Sequence, residues 1–328
     1  MTTDLVDGYQ RVVRDLRISV TDRCNFRCTY CMPAEGMEWL ARSEILTFEE
    51  IERVARVGVE RFGFTGIRLT GGEPTLRAHL PALVERLSRL GTDLSMTTNG
   101  ASLGLLAADL RRAGLQRINV SLDSLRRDRF VALTKRDRLD QVLEGIEAAL
   151  AAGFSPVKVN CVLMRDVNDD EIVDFAAFGR RYGVTVRFIE YMPLDAQGAW
   201  QQGSVVTADE IVDTIGRVFP LAPVDGRGRQ PAERLRYLDG RGEVGVIASV
   251  TRPFCGGCDR VRLTAEGAFR NCLFALAETD LRDVLRSGGT DDDLEAAMRA
   301  DVAVKGPGHA IGQVSFVQPR RSMSQIGG

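Results

Sequence analysis

Strand and helix signals alternate along the first two-thirds of the chain, and that alternation constrains the fold more than any other feature. Strand-like runs lie at Leu16–Val20, Gly66–Thr70, Leu94–Thr98, Gln116–Leu122, Val157–Leu163 and Thr185–Glu190. Amphipathic helical patterns fall between them, at Phe48–Phe62, Leu80–Leu90, Leu103–Ala113, Leu139–Ala152 and Asp170–Tyr182. Gly91, Gly114, Gly153 and Gly183 follow four of these helices, where a left-handed stop residue is favoured. Repeated β-α units imply a parallel sheet with helices outside. We count six units rather than eight, so the expected fold is α/β, an incomplete (β/α)6 TIM-like barrel.

Unusual polar sets recur at one end of these strands. Gly71-Gly72-Glu73-Pro74 follows the second strand, Thr97-Thr98-Asn99-Gly100 ends the third, Ser121-Leu122-Asp123-Ser124 the fourth and Glu190-Tyr191-Met192-Pro193 the sixth. Each alone reads as a turn. Together they mark the C-terminal end of a parallel sheet, where barrel enzymes place their active sites.

The fifth set, after the first strand, carries the most chemistry. Cys24, Cys28 and Cys31 are spaced C-x3-C-x2-C. Three thiolates in one short loop can hold three irons of a [4Fe-4S] cube and leave the fourth open for a substrate or cofactor. Zinc usually takes four ligands, often as paired C-x2-C units, and no His or fourth Cys lies nearby.

The rest of the chain reads as ordinary globular stock, 44% hydrophobic and 27% charged. Its 43 Lys+Arg against 45 Asp+Glu give a net charge of -2, which argues against a general nucleic-acid surface but allows a local cationic pocket. Apolar runs are too short for a membrane span. Met1-Thr2-Thr3-Asp4 has no export-leader pattern, so the expectation is a cytoplasmic protein with reduced thiols. Cys161, in a strand-like run, reads as a small core hydrophobe.

After a helix near Thr207–Phe219 the texture changes to a Gly/Arg loop, 225–231, and short β-like pieces at Glu243–Val250 and Val261–Thr264. We expect residues 1–220 to form the partial barrel and 221–328 a smaller C-terminal domain closing its open side. That portion carries Cys255, Cys258 and Cys272, spaced C-x2-C-x13-C. These suit a second cube with an open iron, and zinc with a remote ligand competes. Arg260 and Arg262 follow on one strand face. Arg17, Arg68, Lys158 and Arg187 also lie on strands, where an unpaired buried cation is costly. Singly, each could meet a carboxylate. As a set of six they point to a polyphosphate pocket, because Arg forks match phosphate oxygens. The tail, Gly327-Gly328, reads on physical grounds as a disordered end, although two glycines can also thread a narrow channel.

The first triplet and Gly71-Gly72-Glu73-Pro74 resemble the radical S-adenosylmethionine (SAM) superfamily. The resemblance sharpens over nearly the whole chain to the GTP 3',8-cyclases of molybdenum cofactor biosynthesis. It is carried by the segment from Leu16 to Cys24, Arg68–Pro74, the second triplet with Arg260 and Arg262, and the closing Gly327-Gly328. It implies a lyase with two [4Fe-4S] clusters, on Cys24, Cys28 and Cys31 and on Cys255, Cys258 and Cys272, the latter meeting guanine. It implies SAM contacts at Tyr30, Gly72, Ser121 and Met192. It implies GTP contacts at Arg17, Arg68, Thr97, Lys158, Arg260, Val261 and Arg262, with Arg187 as a further phosphate contact. Gly327 and Gly328 are implied to reach into the active site, which replaces the disordered reading. The implied reaction moves the ribose C3' hydrogen of GTP to a deoxyadenosyl radical and joins C3' to guanine C8; a further electron and proton then give (8S)-3',8-cyclo-7,8-dihydroguanosine 5'-triphosphate. An electron donor, a downstream cyclic pyranopterin monophosphate synthase and a homodimer are the implied partners. One departure is Gly66, where many members carry a basic residue.

Two other readings remain at this level. A peptide-modifying radical SAM enzyme with an auxiliary cluster would carry further cysteines, and only Cys161 is spare. An iron–sulfur electron carrier or zinc-stabilised module would not need open iron sites.

Overall fold

The computed structural model describes residues 3–33, 37–194, 198, 200–314, 316–319 and 321–327. Its first part alternates as the sequence predicts. The elements are β1 (Asp15–Ser19), α1 (Phe48–Phe62), β2 (Gly66–Thr70), α2 (Leu80–Ser88), β3 (Asp93–Thr98), α3 (Leu103–Arg112), β4 (Arg117–Ser121), α4 (Arg127–Thr134), α5 (Leu139–Ala151), β5 (Val157–Leu163), α6 (Ile172–Tyr182) and β6 (Thr185–Glu190). Then come α7 (Ala208–Gly216), β7 (Leu221–Pro223), β8 (Glu233–Tyr237), β9 (Glu243–Ile247), β10 (Arg260–Leu263), β11 (Ala268–Arg270), β12 (Thr279–Asp280), α8 (Leu281–Arg286), α9 (Asp291–Ala303) and α10 (Met323–Ile326).

Local signals explain where the elements begin and end. Helix α1 opens on a reciprocal capping box between Thr47 and Glu50 and closes on Gly63 at φ 67°. It buries Ile51, Val54, Ala55, Val57 and Phe62 along one stripe. Strand β5 alternates fully: Val157, Val159, Cys161 and Leu163 pack into the core, while Lys158, Asn160 and Val162 face the other way. Cys161 is therefore the core residue its surroundings predict.

Strands β1 to β6 pair in parallel, each with the next. The later strands do not form a separate sheet. β10 joins the free edge of β1 in parallel, and β9 joins the free edge of β6, also in parallel. Antiparallel hairpins then extend both flanks, to give one sheet of order β12-β11-β10-β1-β2-β3-β4-β5-β6-β9-β8-β7. This placement brings Cys255 and Cys258, just before β10, alongside the strand that leads into Cys24.

Helix α4 is an element the sequence reading did not pick out. It holds the first cysteine loop. Arg27 N–H donates to Thr134 O (2.9 Å) and Thr29 N–H to Leu133 O (3.0 Å), both at the end of α4. Phe26 packs edge-on against Phe130 at 5.7 Å between ring centres.

Candidate active site

The chain entering the first cysteine loop is fixed by the glycine pair after β2. Gly72 N–H donates to Thr21 O (2.8 Å) and Glu73 N–H to Arg23 O (2.7 Å). A Cβ on Gly72 would lie 2.4 Å from the carbonyl oxygens of both Asp22 and Arg23, so no side chain fits. Glu73 is fully buried and accepts from Thr75 N–H (3.0 Å), Thr75 Oγ1 (2.6 Å), Thr98 Oγ1 (2.6 Å) and Asn99 N–H (2.6 Å). It ties the ends of β2 and β3 together. Asn99 Nδ2 in turn donates to Asn25 Oδ1 at 2.7 Å, inside the cysteine loop. Two of the polar sets thus brace the loop itself.

All six paired-set cysteines line one cavity, together with Arg17, Arg68, Arg187, Arg260 and Arg262. Within it, Cys24, Cys28 and Cys31 stand close enough to perturb one another. Burial pushes the Cys24 thiol up to about 11 and the Cys31 thiol up to about 12, the latter also raised by Cys24; Cys28 rises too. Three buried thiols of that kind ionise when metal cations replace their protons. Among the described residues no group of three His, Cys, Asp or Glu side chains surrounds a single-ion position. The three thiols line the cavity, and their all-sulfur donor set suits an iron–sulfur cube.

In the second set, burial works upward on Cys258, but the Arg260 and Lys305 cations outweigh it and hold that thiol below the usual range. Cys272 is raised by burial. A Cβ on Gly308 would sit 3.2 Å from Cys255 Sγ, so the 306–308 segment packs directly on this loop.

The cations form an ordered row. Arg17 pairs in register with Arg262 on one side and Arg68 on the other, so three guanidinium side chains stand next to each other across three parallel strands. Arg68 Nε donates to Ser95 Oγ at 3.2 Å. Arg17 has Asp15 Oδ1 at 3.8 Å, yet among the described residues its Nε has no hydrogen-bond partner, and neither do Nε and Nη2 of Arg260. Burial and then Arg262, Arg68 and Arg260 depress Arg17 well below the usual guanidinium range, and burial takes Arg262 down to about 10. Buried like charges in register, with donors left over, are unfavourable without an anion. Arg187 is held by Asn160 Oδ1 (2.9 Å) and Asn119 Oδ1 (2.8 Å).

The other expected residues fall as follows. Tyr30, Gly72, Ser121, Met192 and Thr97 lie on the cavity wall. Val261 sits between Arg260 and Arg262 with its side chain in the core, so only its main chain can face a ligand. Lys158 lies one inward step below Asn160 on β5, beneath the wall, and burial beside Arg187 brings it down to about 8. The tail is packed inside. Arg262 donates to Gly327 O, and a Cβ on Gly327 (φ 73°) would strike Thr70 Oγ1 at 2.4 Å and Ser19 Oγ at 2.5 Å. Gly328 lies outside the described residues.

Two wall residues, Asp123 and His309, carry contacts that the sequence reading assigned to neither. Asp123 accepts from Tyr30 O–H at 2.6 Å and from Val162 N–H at 2.8 Å, fixing the aromatic ring between two cysteines. His309, remote in sequence, reaches the same cavity with Nε2 2.8 Å from Ser249 O and its ring 5.1 Å from Phe274. Only the sheet topology could have revealed that placement.

The fold and site define a radical SAM enzyme: residues 18–179 match the Radical SAM superfamily, and residues 184–311 match Molybdenum Cofactor Synthesis C. A GTP 3',8-cyclase of Streptomyces coelicolor is 50% identical over 328 residues, covering 99% of this chain and 96% of that protein. One of Mycolicibacterium smegmatis is 48% identical, covering 99% and 92%. The chain belongs to the GTP 3',8-cyclase family, whose cofactors are SAM and two [4Fe-4S] clusters. Among solved structures, Streptococcus suis SuiB bound to its precursor peptide SuiA aligns with a TM-score of 0.61 at 15% identity, covering 89% of this chain and 68% of that one. Methylornithine synthase aligns with a TM-score of 0.54 at 18% identity, covering 88% and 86%. At those identities the likeness is one of fold.

Proposed function

We propose that this chain converts GTP to (8S)-3',8-cyclo-7,8-dihydroguanosine 5'-triphosphate, the first step of molybdenum cofactor biosynthesis. The observation that carries this reading is the register row Arg262–Arg17–Arg68, set in one cavity with both cysteine triplets. A peptide substrate gives no reason for three adjacent buried guanidiniums. A triphosphate does.

Cys24, Cys28 and Cys31 would hold the cluster that, with SAM bound, would supply the radical chemistry. Tyr30, Gly72, Ser121 and Met192 line the SAM side of the cavity. Arg17, Arg68, Arg187, Arg260 and Arg262 bind and orient the triphosphate, with Lys158 beneath them adding positive potential. Thr97 and the main chain at Val261 complete the GTP contacts. Cys255, Cys258 and Cys272 hold the second cluster on the guanine side. Gly327 and Gly328 position the nucleotide from the tail, next to Arg262. The protein's work is to align C3' with the radical source and to exclude other hydrogen donors.

The reading extends to residues 221–328 as a unit that carries the second cluster and closes the cavity. It extends also to a separate electron donor, a downstream cyclic pyranopterin monophosphate synthase, a homodimer and a cytoplasmic setting. Among the described residues, no helix is long and apolar enough to cross a membrane. The test is 5'-deoxyadenosine formation by anaerobically reconstituted protein with SAM and a strong reductant. GTP should stimulate it strongly and yield a cyclised nucleotide. Equal SAM cleavage with and without GTP would assign the radical chemistry to another substrate.

A further inference from the structure

Of the chain's three lysines, Lys305 alone is buried, only 3% exposed, and it sits just beyond α9 against the second cysteine loop. Its ammonium donates to Arg260 O (2.9 Å) and Cys258 O (3.2 Å) and lies 3.8 Å from Cys258 Sγ. Its electrostatic neighbours are Cys258 and Cys272 first, then Arg11 and Asp7. Arg11, a second buried cation packed on this loop, donates to Cys255 O (2.9 Å), Pro307 O (2.9 Å) and Gly306 O (2.5 Å). Its charge is already balanced, because its Nε meets Asp7 Oδ2 at 2.6 Å with both side chains buried. The two cations therefore differ. Arg11 and Asp7 form a neutral brace for the loop. Lys305 brings a positive charge whose hydrogen bonds go to carbonyls and a thiol.

A buried ammonium without a carboxylate bonded to it is costly unless something negative sits beside it. The thiolates of an occupied cluster meet that need. A [4Fe-4S] core bound by three thiolates is negative and becomes more so on gaining an electron. A fixed positive charge at the sulfur favours the reduced form, and charge and hydrogen bonds at the sulfurs are what set such potentials. We infer that Lys305 is a positioning residue that adds a fixed charge, hydrogen-bonded at the second cysteine loop, that stabilises the second cluster, and that it raises that cluster's reduction potential. This rests on the reading of Cys255, Cys258 and Cys272 as the cluster's ligands.

The test uses full-length protein carrying C24A, C28A and C31A, so that only the second cluster gives a signal. Iron and sulfide content and the midpoint potential by EPR-monitored titration are measured with Lys305, with Lys305→Gln and with Lys305→Arg. Gln keeps donors to the carbonyls without the charge, and Arg keeps the charge. The expected result is a Gln variant whose cluster is at least about tenfold less reduced at the parental midpoint, about 59 mV lower for one electron, with Arg near the parental value. A Gln variant that fails to hold iron while Arg does so also supports the charge role. Unchanged potential in the Gln variant, or equal loss of iron in both variants, overturns it. A parental protein with no cluster overturns the ligand assignment itself, which the iron assay reports before any variant is compared.

Discussion

Replacing Arg17 with methionine separates binding from stability more sharply than any other change. The Arg17 side chain is 12% exposed and stands between Arg68 and Arg262 on adjacent strands. With strands about 4.8 Å apart and the charges roughly 6 Å apart, each like-charged pair costs about 3 kcal/mol at an effective dielectric of about 20. Two such pairs oppose folding by about 6 kcal/mol, and Asp15 at 3.8 Å returns about 4 kcal/mol. The remainder, with the unmet Nε, makes Arg17 neutral to unfavourable in the ligand-free protein. Arg17→Met should therefore leave the melting temperature unchanged or raise it. Its loss from the triphosphate site should remove charge-assisted hydrogen bonds worth about 1.5–3 kcal/mol, a fall in GTP affinity of about 10- to 150-fold. Anaerobic equilibrium dialysis of GTP and thermal melts without nucleotide measure the two effects. A melting temperature several degrees lower with unchanged GTP affinity would show that Arg17 is a structural partner of Asp15 and would refute the argument.

Three further outcomes follow from the geometry. Gly327→Ala puts a methyl group against Ser19 and Thr70 at a positive φ; it should cut cyclised product at least about tenfold while iron content stays at the parental level, and a matching loss of iron would assign the tail a structural role. Gly66→Lys places its Cβ 3.1 Å from Asp15 Oδ2, beside a carboxylate that offsets an added cation; GTP affinity measured by dialysis should rise by less than about threefold, and a larger gain would mean that the phosphate clamp is short of a cation. Asp301 is 6% exposed and burial pushes its carboxyl up to about 6, above the unfolded value of 3.8. Its ionisation thus opposes folding fully above about pH 6, and the penalty is relieved as pH falls from 6 toward 3.8. Asp301→Asn should raise the melting temperature at pH 8 by about 2 °C or more and shrink the gain the parent shows on going to pH 5.5.

What could be read in the sequence was what depends on local spacing. The six strands and their helices were legible because apolar periodicity and helix-stop glycines report on neighbouring residues. The cysteine loop and Gly71-Gly72-Glu73 were legible because their residue types have few other uses. Helix α4 was not, since its only buried positions, Phe130, Leu133 and Thr134, make too weak a stripe over eight residues. The flanking of β1 by β10 and of β6 by β9 was also hidden, because pairing across more than fifty residues leaves no periodic trace. That pairing turns Arg17, Arg68 and Arg262 from three separate oddities into one row. Far from where chain distance would put them, Lys305 reaches the second cysteine loop and His309 reaches Ser249 just beyond β9. The tail's burial was expected only from family resemblance; its own composition pointed to disorder.

The most direct test of the account is the fate of the ribose hydrogen. Reconstituted protein is given GTP deuterated at C3', SAM and reductant, and the 5'-deoxyadenosine is analysed by mass spectrometry. The account predicts one deuterium in the 5'-deoxyadenosine and a cyclised nucleotide lacking it. Unlabelled 5'-deoxyadenosine formed alongside unchanged GTP would contradict it.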